Sequence, residues 1–205
     1  QKQWFGGDLK VVRRAAGLSV RTVTHTRLDP EALRSRIDAE LTIRGGGITQ
    51  IEVSLPESTG TGIRFHWFSR SGKLIEQIPA QPQNGRRIWM LKFNRRLAGT
   101  GVLSVSMETS SPKSDALALV HDLRFPSANR QTGFIAIEAR EDQRLEIEAT
   151  ELVLIPAKAG KQPNAVRGAR LDEVDPIEIP TFSLVRPTSR YVPRQRIVAV
   201  YRYLA

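Results

Sequence analysis

The stretch Ile37-Asp38-Ala39-Glu40-Leu41-Thr42-Ile43-Arg44 alternates strictly between apolar and polar residues. A period of two puts Ile37, Ala39, Leu41 and Ile43 on one face of an extended strand, with Asp38, Glu40, Thr42 and Arg44 on the other. Gly45-Gly46-Gly47 follows, free of Cβ atoms, and then Ile51, Val53 and Leu55 resume the beat up to Pro56. The whole reads as a long antiparallel hairpin that turns at the glycines.

The same reading extends in both directions. Ile63, Phe65 and Trp67 alternate with Arg64 and His66, and Ser69 to Lys73 turn the chain into Leu74 to Ile78, a second hairpin. Trp89, Leu91 and Phe93, then Ala98-Gly99-Thr100-Gly101, then Leu103, Val105 and Met107 make a third. Segments at 116–125, 134–139, 145–149 and 152–155 have strand length and composition. The pieces 177–179 and 182–185 each lie beside a proline and suit edge or irregular strands, while 196–204 is apolar enough for a central strand. Asp29-Pro30-Glu31 has the marks of a helix start, but the alternation after it leaves room for one turn at most. The expectation is an all-β, antiparallel β-sandwich, supersandwich-like, with about a dozen strands and little or no helix. Without crossover helices, a parallel sheet is not expected.

Two hundred and five residues, 40% apolar and 25% charged, can bury a core without a staple. One module over 1–205 is expected, with a weak boundary near 110–114 at Ser110-Ser111-Pro112-Lys113-Ser114. The chain opens on Gln1 and stops abruptly after Tyr203-Leu204-Ala205, which reads as a module processed or excised from something longer. No run approaches the roughly 20 apolar residues of a membrane span.

The absence of cysteine excludes disulfides, thiol nucleophiles, cysteine zinc sites and iron–sulfur clusters. His25, His66 and His121 fall at no metal-ligand spacing, and no GxSxG elbow is present. His121-Asp122 has the form of an oriented base without a recognisable nucleophile. A triad assembled only in three dimensions leaves no such spacing, so the balance leans away from an enzyme without closing that door. Asp172, Glu173 and Asp175 supply oxygen ligands of the calcium type but lack the full ligand ladder of an EF-hand loop, and a solvated acidic loop is the simpler reading. No cofactor or metal is expected.

Charge is the remaining signal. Lys and Arg number 31 against 21 Asp and Glu, a net charge of +10, and 24 of the cations are arginine. Arginine favours flat, bidentate anions, and a net positive chain attracts polyanions. Scattered cations also occur on any solvated surface, but Arg86, Arg87, Arg95 and Arg96 gather around one strand together with Lys92. Those four arginines are the candidate contacts for an anionic partner. Acidic residues concentrate elsewhere, at Glu138 to Glu151 and at Asp172 to Glu178, which suits contacts between modules. Trp67 and Trp89 fall in phase with the core, so an exposed stacking platform for sugars or bases is not evident.

Three stretches carry a resemblance. They are Ala39 to Ile43 with Gly45-Gly46-Gly47 and Ile51 to Pro56; Trp89 to Phe93 with Leu97 to Leu103; and Leu123-Arg124-Phe125-Pro126 with Arg130-Gln131-Thr132-Gly133-Phe134-Ile135-Ala136-Ile137. In this order they resemble β-sandwich modules of large, uncharacterised bacterial cell-envelope proteins. The resemblance covers about half the chain and implies an extracytoplasmic β-module, in the periplasm or at the cell surface, without known catalytic residues. The resulting expectation is a non-catalytic structural or interaction module whose Arg-rich strand faces bind a neighbouring protein module or an anionic polymer, glycan included. A carbohydrate-binding or carbohydrate-active β-sandwich is the alternative, and nucleic-acid binding a third reading.

Overall fold

The computed structural model describes residues 15–110, 120–140, 153–154 and 181–204. Eight strands run through these residues: β1 (Gly17–Leu28), β2 (Ala32–Pro56), β3 (Arg64–Phe68), β4 (Leu74–Pro79), β5 (Arg86–Ser110), β6 (Arg130–Ala139), β7 (Val153–Leu154) and β8 (Arg196–Leu204). Helical structure among them is confined to single 3-10 turns at Glu57–Thr59 and Pro187–Ser189, so the protein is all-β.

The expected hairpins are not formed. Residues 32–56 are one strand of 25 residues, and 86–110 are another. The glycine triplet is a corner inside β2, and Gly99 lies in the matching corner of β5. The real hairpin joins β1 to β2 through Asp29-Pro30-Glu31. There Asp29 and Ala32 exchange main-chain hydrogen bonds of 2.8 and 3.3 Å around a two-residue turn. Proline fits the first central position of that turn as readily as it fits the start of a helix. β3 and β4 do not pair with each other; each pairs with a different half of β5. Merging of expected strands accounts for part of the drop from a dozen to eight, and 145–149 and 177–179 lie outside the described residues. Residues 182–185 form a turn rather than a strand, and of 116–125 the described part joins the sheet through one bridge, Ser54 to Arg124.

All eight strands share one sheet, ordered β3-β5-β2-β1-β6-β8-β7, with β4 also on β5. The sheet is mixed rather than wholly antiparallel, because β1 pairs β6 in parallel from Ser19↔Arg130 to Arg27↔Glu138. These strands lie far apart in sequence, so no single crossover unit announces the pairing.

The two long strands are folded over. A straight 25-residue strand would span about 80 Å. Phe65 pairs with Val105, yet its ring is 5.2 Å from that of Trp89, sixteen residues back along the same β5. In a straight strand that separation is about 50 Å. Trp67, paired with Leu103, likewise meets Phe93 at 5.0 Å. The corner is made by two staggered bulges. Between Ile43↔Gly99 and Ile48↔Leu97, four residues of β2 oppose one of β5; between Ile48↔Leu97 and Gln50↔Lys92, four of β5 oppose one of β2. Extra residues bend a ladder and increase its twist. Gly45 and Gly99 take left-handed φ values of 79° and 76° there, which glycine adopts at little cost.

The alternation seen in the sequence then closes a core. Ile37, Leu41, Val53, Leu55, Leu91, Leu103 and Val105 are among the residues packed in one cluster, essentially without exposure. Each such side chain contributes roughly 1.5–3 kcal/mol of burial. Gln131 seals one margin: its amide Nε2 donates to Leu123 O at 2.6 Å and to Tyr203 Oη at 3.1 Å, while Oε1 accepts from Phe125 N at 3.1 Å.

Candidate functional site

The double bulge that turns the sheet also breaks the in–out alternation, and this exposes cations. Asn94, Arg95 and Arg96 are three exposed residues in a row on β5, and Arg44 is exposed on the facing bulge of β2. The loop between β3 and β4 packs against them: Asn94 N donates to Lys73 O at 3.0 Å, and Lys73 N donates to Asn94 Oδ1 at 2.7 Å. Arg70 and Lys73 of this loop are exposed as well. None of Arg44, Arg70, Lys73, Arg95 and Arg96 forms an ion pair among the described residues.

Several cations elsewhere on the sheet have partners. Arg21 meets Glu40, Arg27 meets Asp29, Arg34 meets Asp29 and Glu108, Arg36 meets Asp38, and Lys92 meets Glu76. Arg86, expected as a contact for a partner, is engaged internally. It donates to Ser54 Oγ and O, both at 2.9 Å, to Asp122 Oδ1 at 2.8 Å and to Asp122 O at 3.2 Å. Burial pushes the Asp122 carboxyl up, but hydrogen bonds and charge from Arg86 and Arg124 outweigh it and hold the group below its usual range. Arg87 is partly buried, with its Nε shielded from solvent and unpartnered. Of the four expected arginines, the structure leaves Arg95 and Arg96 open and gathers Arg44, Arg70 and Lys73 beside them.

A second polar cluster lies on the opposite face of β1. Residues 181–195 cross this face, with Phe182 and Val185 packed on Val23 and Val102. Arg36 Nη2 donates to Ser189 O at 2.6 Å, and Gln195 Nε2 donates to Asp29 Oδ1 at 3.1 Å. Glu138, fully buried on β6, accepts from the main-chain N–H groups of Arg194 and Gln195 at 3.0 and 3.3 Å. His25 stacks on Tyr191 with centroids 4.3 Å apart, and its Nδ1 is 4.0 Å from Glu138 Oε1. Burial lowers the His25 pKa to about 4, so the imidazole is neutral at pH 7; Asp38 opposes the shift and Arg36 adds to it. Burial, with Glu138 beside the ring, pushes Tyr191 far above the ordinary phenol range. The cavity bounded by Val23, His25, Asp38, Phe182, Arg190 and Tyr191 measures about 20 Å³. That is room for about one water and for no organic substrate. The arrangement ties the 181–195 segment to the sheet.

His121 shows why adjacency in sequence misleads. Its Nδ1 is 3.2 Å from Ser35 Oγ, which is also 3.1 Å from Thr26 Oγ1, while Asp122 turns away to Arg86 and Arg124. All three of that cluster are buried, and burial lowers the His121 pKa. The three side chains form a buried, mutually hydrogen-bonded interior network. His66 is exposed on β3. Among the described residues no group of three or more His, Asp or Glu is placed to hold a metal ion, and Asp172, Glu173 and Asp175 lie outside them. Trp89 is buried and Trp67 packs on the core, so neither presents an open ring face of the kind a sugar site needs. No helix among the described residues is long and apolar enough to cross a membrane.

The His25–Glu138–Tyr191 cluster was beyond sequence reasoning. Glu138 reads as part of an acidic surface concentration, although its position inside the apolar run Phe134 to Ala139 is a signal that it is buried.

The molecule is thus an all-β chain built on one folded, mixed sheet with a basic corner. No protein-family model and no curated protein matches its sequence. Among solved structures it is similar to native leukotriene A4 hydrolase from Saccharomyces cerevisiae, at a TM-score of 0.41 and 13% identity, over 67% of this chain and 24% of that one. The chain therefore spans about a quarter of that protein's length.

Proposed function

We propose that the protein is a non-catalytic interaction module that binds an anionic partner at the basic corner formed by Arg44, Arg70, Lys73, Arg95 and Arg96. One observation carries this reading: these five cations are exposed, gathered at one corner and without ion pairs among the described residues, whereas Arg21, Arg27, Arg34, Arg36, Arg86 and Lys92 on the strands are each matched to a carboxylate. Unmatched positive charge on a chain of net +10 steers and orients anions. Arginine adds bidentate recognition of carboxylate, sulfate or phosphate. We further infer that the folded-over sheet acts as a sandwich-like scaffold, rigid enough to fix the corner's shape. The module's place in the cell envelope is proposed on the resemblance of its three motifs.

The test is binding of polyglutamate, heparin and single-stranded DNA across a salt series. Expected is binding of acidic ligand at low salt that weakens steeply toward physiological salt, and that is lost in the double variant Arg95→Glu, Arg96→Glu. Absence of binding to all three at low salt, or binding indifferent to the double variant, refutes the reading. A DNA preference with phosphate dependence moves the protein to the nucleic-acid class.

A further inference from the structure

We infer that the open edge of β4, over Ile75 to Ile78, accepts an extended acidic segment of a partner protein as an added strand, with its carboxylates held by the basic corner. The inference rests on the reading of that corner as an anion site and names the kind of partner it serves.

Among the described residues β4 pairs only with β5, so its other edge carries main-chain groups without a strand partner. The register says which groups these are. Ala80 N donates to Ile88 O at 2.8 Å, and Ile78 pairs with Met90 two residues further along the same register. Hydrogen-bonded pairs alternate along an antiparallel ladder, so Ile78 faces β5 and Gln77 and Pro79 face outward. Pro79 has no N–H to offer and sits where proline is tolerated in a sheet. Gln77 presents both a donor and an acceptor to the open side.

Edges are ordinarily guarded by charges, bulges or proline. β4 has a bulge between Leu74 and Glu76 at one end and Pro79 at the other, which together limit an added strand to a short window. Inside the window the one charge is Glu76, and apolar side chains stand exposed beside it. Ile75 is 63% exposed and Ile78 37%, two of the three large apolar side chains exposed among the described residues. Such residues add side-chain contact to the main-chain bonds of an incoming strand.

Charge selects the occupant. Lys73 directly precedes β4, and Arg95 lies against Gly72, where its Cγ is 3.6 Å from the point a Cβ would occupy. The acid within β4, Glu76, is already paired to Lys92 at 2.9 Å. An acidic segment is therefore attracted, and a second copy of this chain, itself at net +10, is repelled.

The experiment uses the full chain and a labelled eight-residue peptide alternating Glu with Val, beside an all-Glu octamer and a Lys–Val octamer. Expected is binding of the Glu–Val peptide at least tenfold tighter than all-Glu, with none for Lys–Val. Gln77→Pro removes the outward N–H without removing a β4–β5 bond and is expected to weaken the Glu–Val peptide at least tenfold at an unchanged urea midpoint. Amide exchange on the unmodified protein supplies a readout that needs no variant: the Gln77 N–H is expected to slow at least tenfold under saturating peptide. An unchanged Gln77 exchange rate under saturation overturns the added strand. If Arg95→Glu, Arg96→Glu abolishes binding while Gln77→Pro does not, the edge proposal fails and the basic corner stands. If neither acidic peptide binds at low salt, both fall.

Discussion

Gly101→Ala is the sharpest probe of the folded sheet, because a single methyl group lands where the two limbs meet. A Cβ at Gly101 would lie 2.2 Å from Trp67 Cζ2 and 2.3 Å from Cη2. Ordinary carbon contacts are about 3.5–4.0 Å, so the indole must move by more than an ångström. It is held by Phe93 at 5.0 Å, in a contact between limbs. The backbone raises no objection, since Gly101 is outside the positive-φ set, and alanine in a strand would otherwise gain roughly 0.5–1 kcal/mol over glycine. Overpacking of this kind costs about 1–3 kcal/mol, and loss of the ring pair about 0.5–1.5 kcal/mol more. The expected net effect is a destabilisation of about 2 kcal/mol. With a urea slope of about 2–3 kcal/mol/M for a chain of this size, the midpoint falls by nearly 1 M. Equilibrium urea unfolding followed by tryptophan fluorescence reads this directly. Trp67→Leu shortens the obstructing side chain, so the double variant should be more stable than the sum of the singles by at least about 1 kcal/mol. A Gly101→Ala midpoint within 0.2 M (roughly the extrapolation error) of the parent, or strict additivity in the pair, would show that Trp67 does not cover Gly101 and that the limbs do not meet this way.

Three further outcomes are expected. His25 binds its proton more weakly folded than unfolded, so stability is complete above pH 6.5 and declines as pH falls toward about 4, by roughly 3 kcal/mol in total. His25→Gln should flatten that slope in pH-dependent thermal melts, while the buried His121, whose pKa is also lowered, acts in the same direction, and an unchanged slope would exclude His25 from the effect. Arg86→Met should cost about 2–3 kcal/mol through four lost charge-assisted hydrogen bonds, whereas Arg95→Ala and Arg96→Ala should each stay within about 0.5 kcal/mol. Equal costs for the three in chemical denaturation would contradict the division between an anchored arginine and open ones. Gln131→Leu strands the buried Phe125 N–H and Leu123 carbonyl and should lower stability by about 2–4 kcal/mol, with the 121–125 segment first to gain proteolytic sensitivity.

Much of this molecule is local and therefore legible. Side-chain alternation in 37–43, 51–55, 89–93 and 103–107 determined by itself that the chain is extended and which residues point inward, because a strand's two faces are set by its own backbone. The charge on Arg95 and Arg96 was equally plain. Tertiary structure decided how those strands connect. Gly45-Gly46-Gly47 permits a reversal and a corner alike, and the corner prevails because β1 supplies one edge of β2 while β5 bends beside it along the other. The parallel pairing of β1 with β6 joins segments more than a hundred residues apart, a distance over which no periodicity speaks. The same holds for side chains: Arg86 is withdrawn by Asp122, Glu138 is sealed beneath residues 191–195, and Arg95 and Arg96 stay open because a bulge displaced them from the ladder. Sequence sets the polarity of each residue, whereas its availability depends on neighbours that only the folded chain brings within reach.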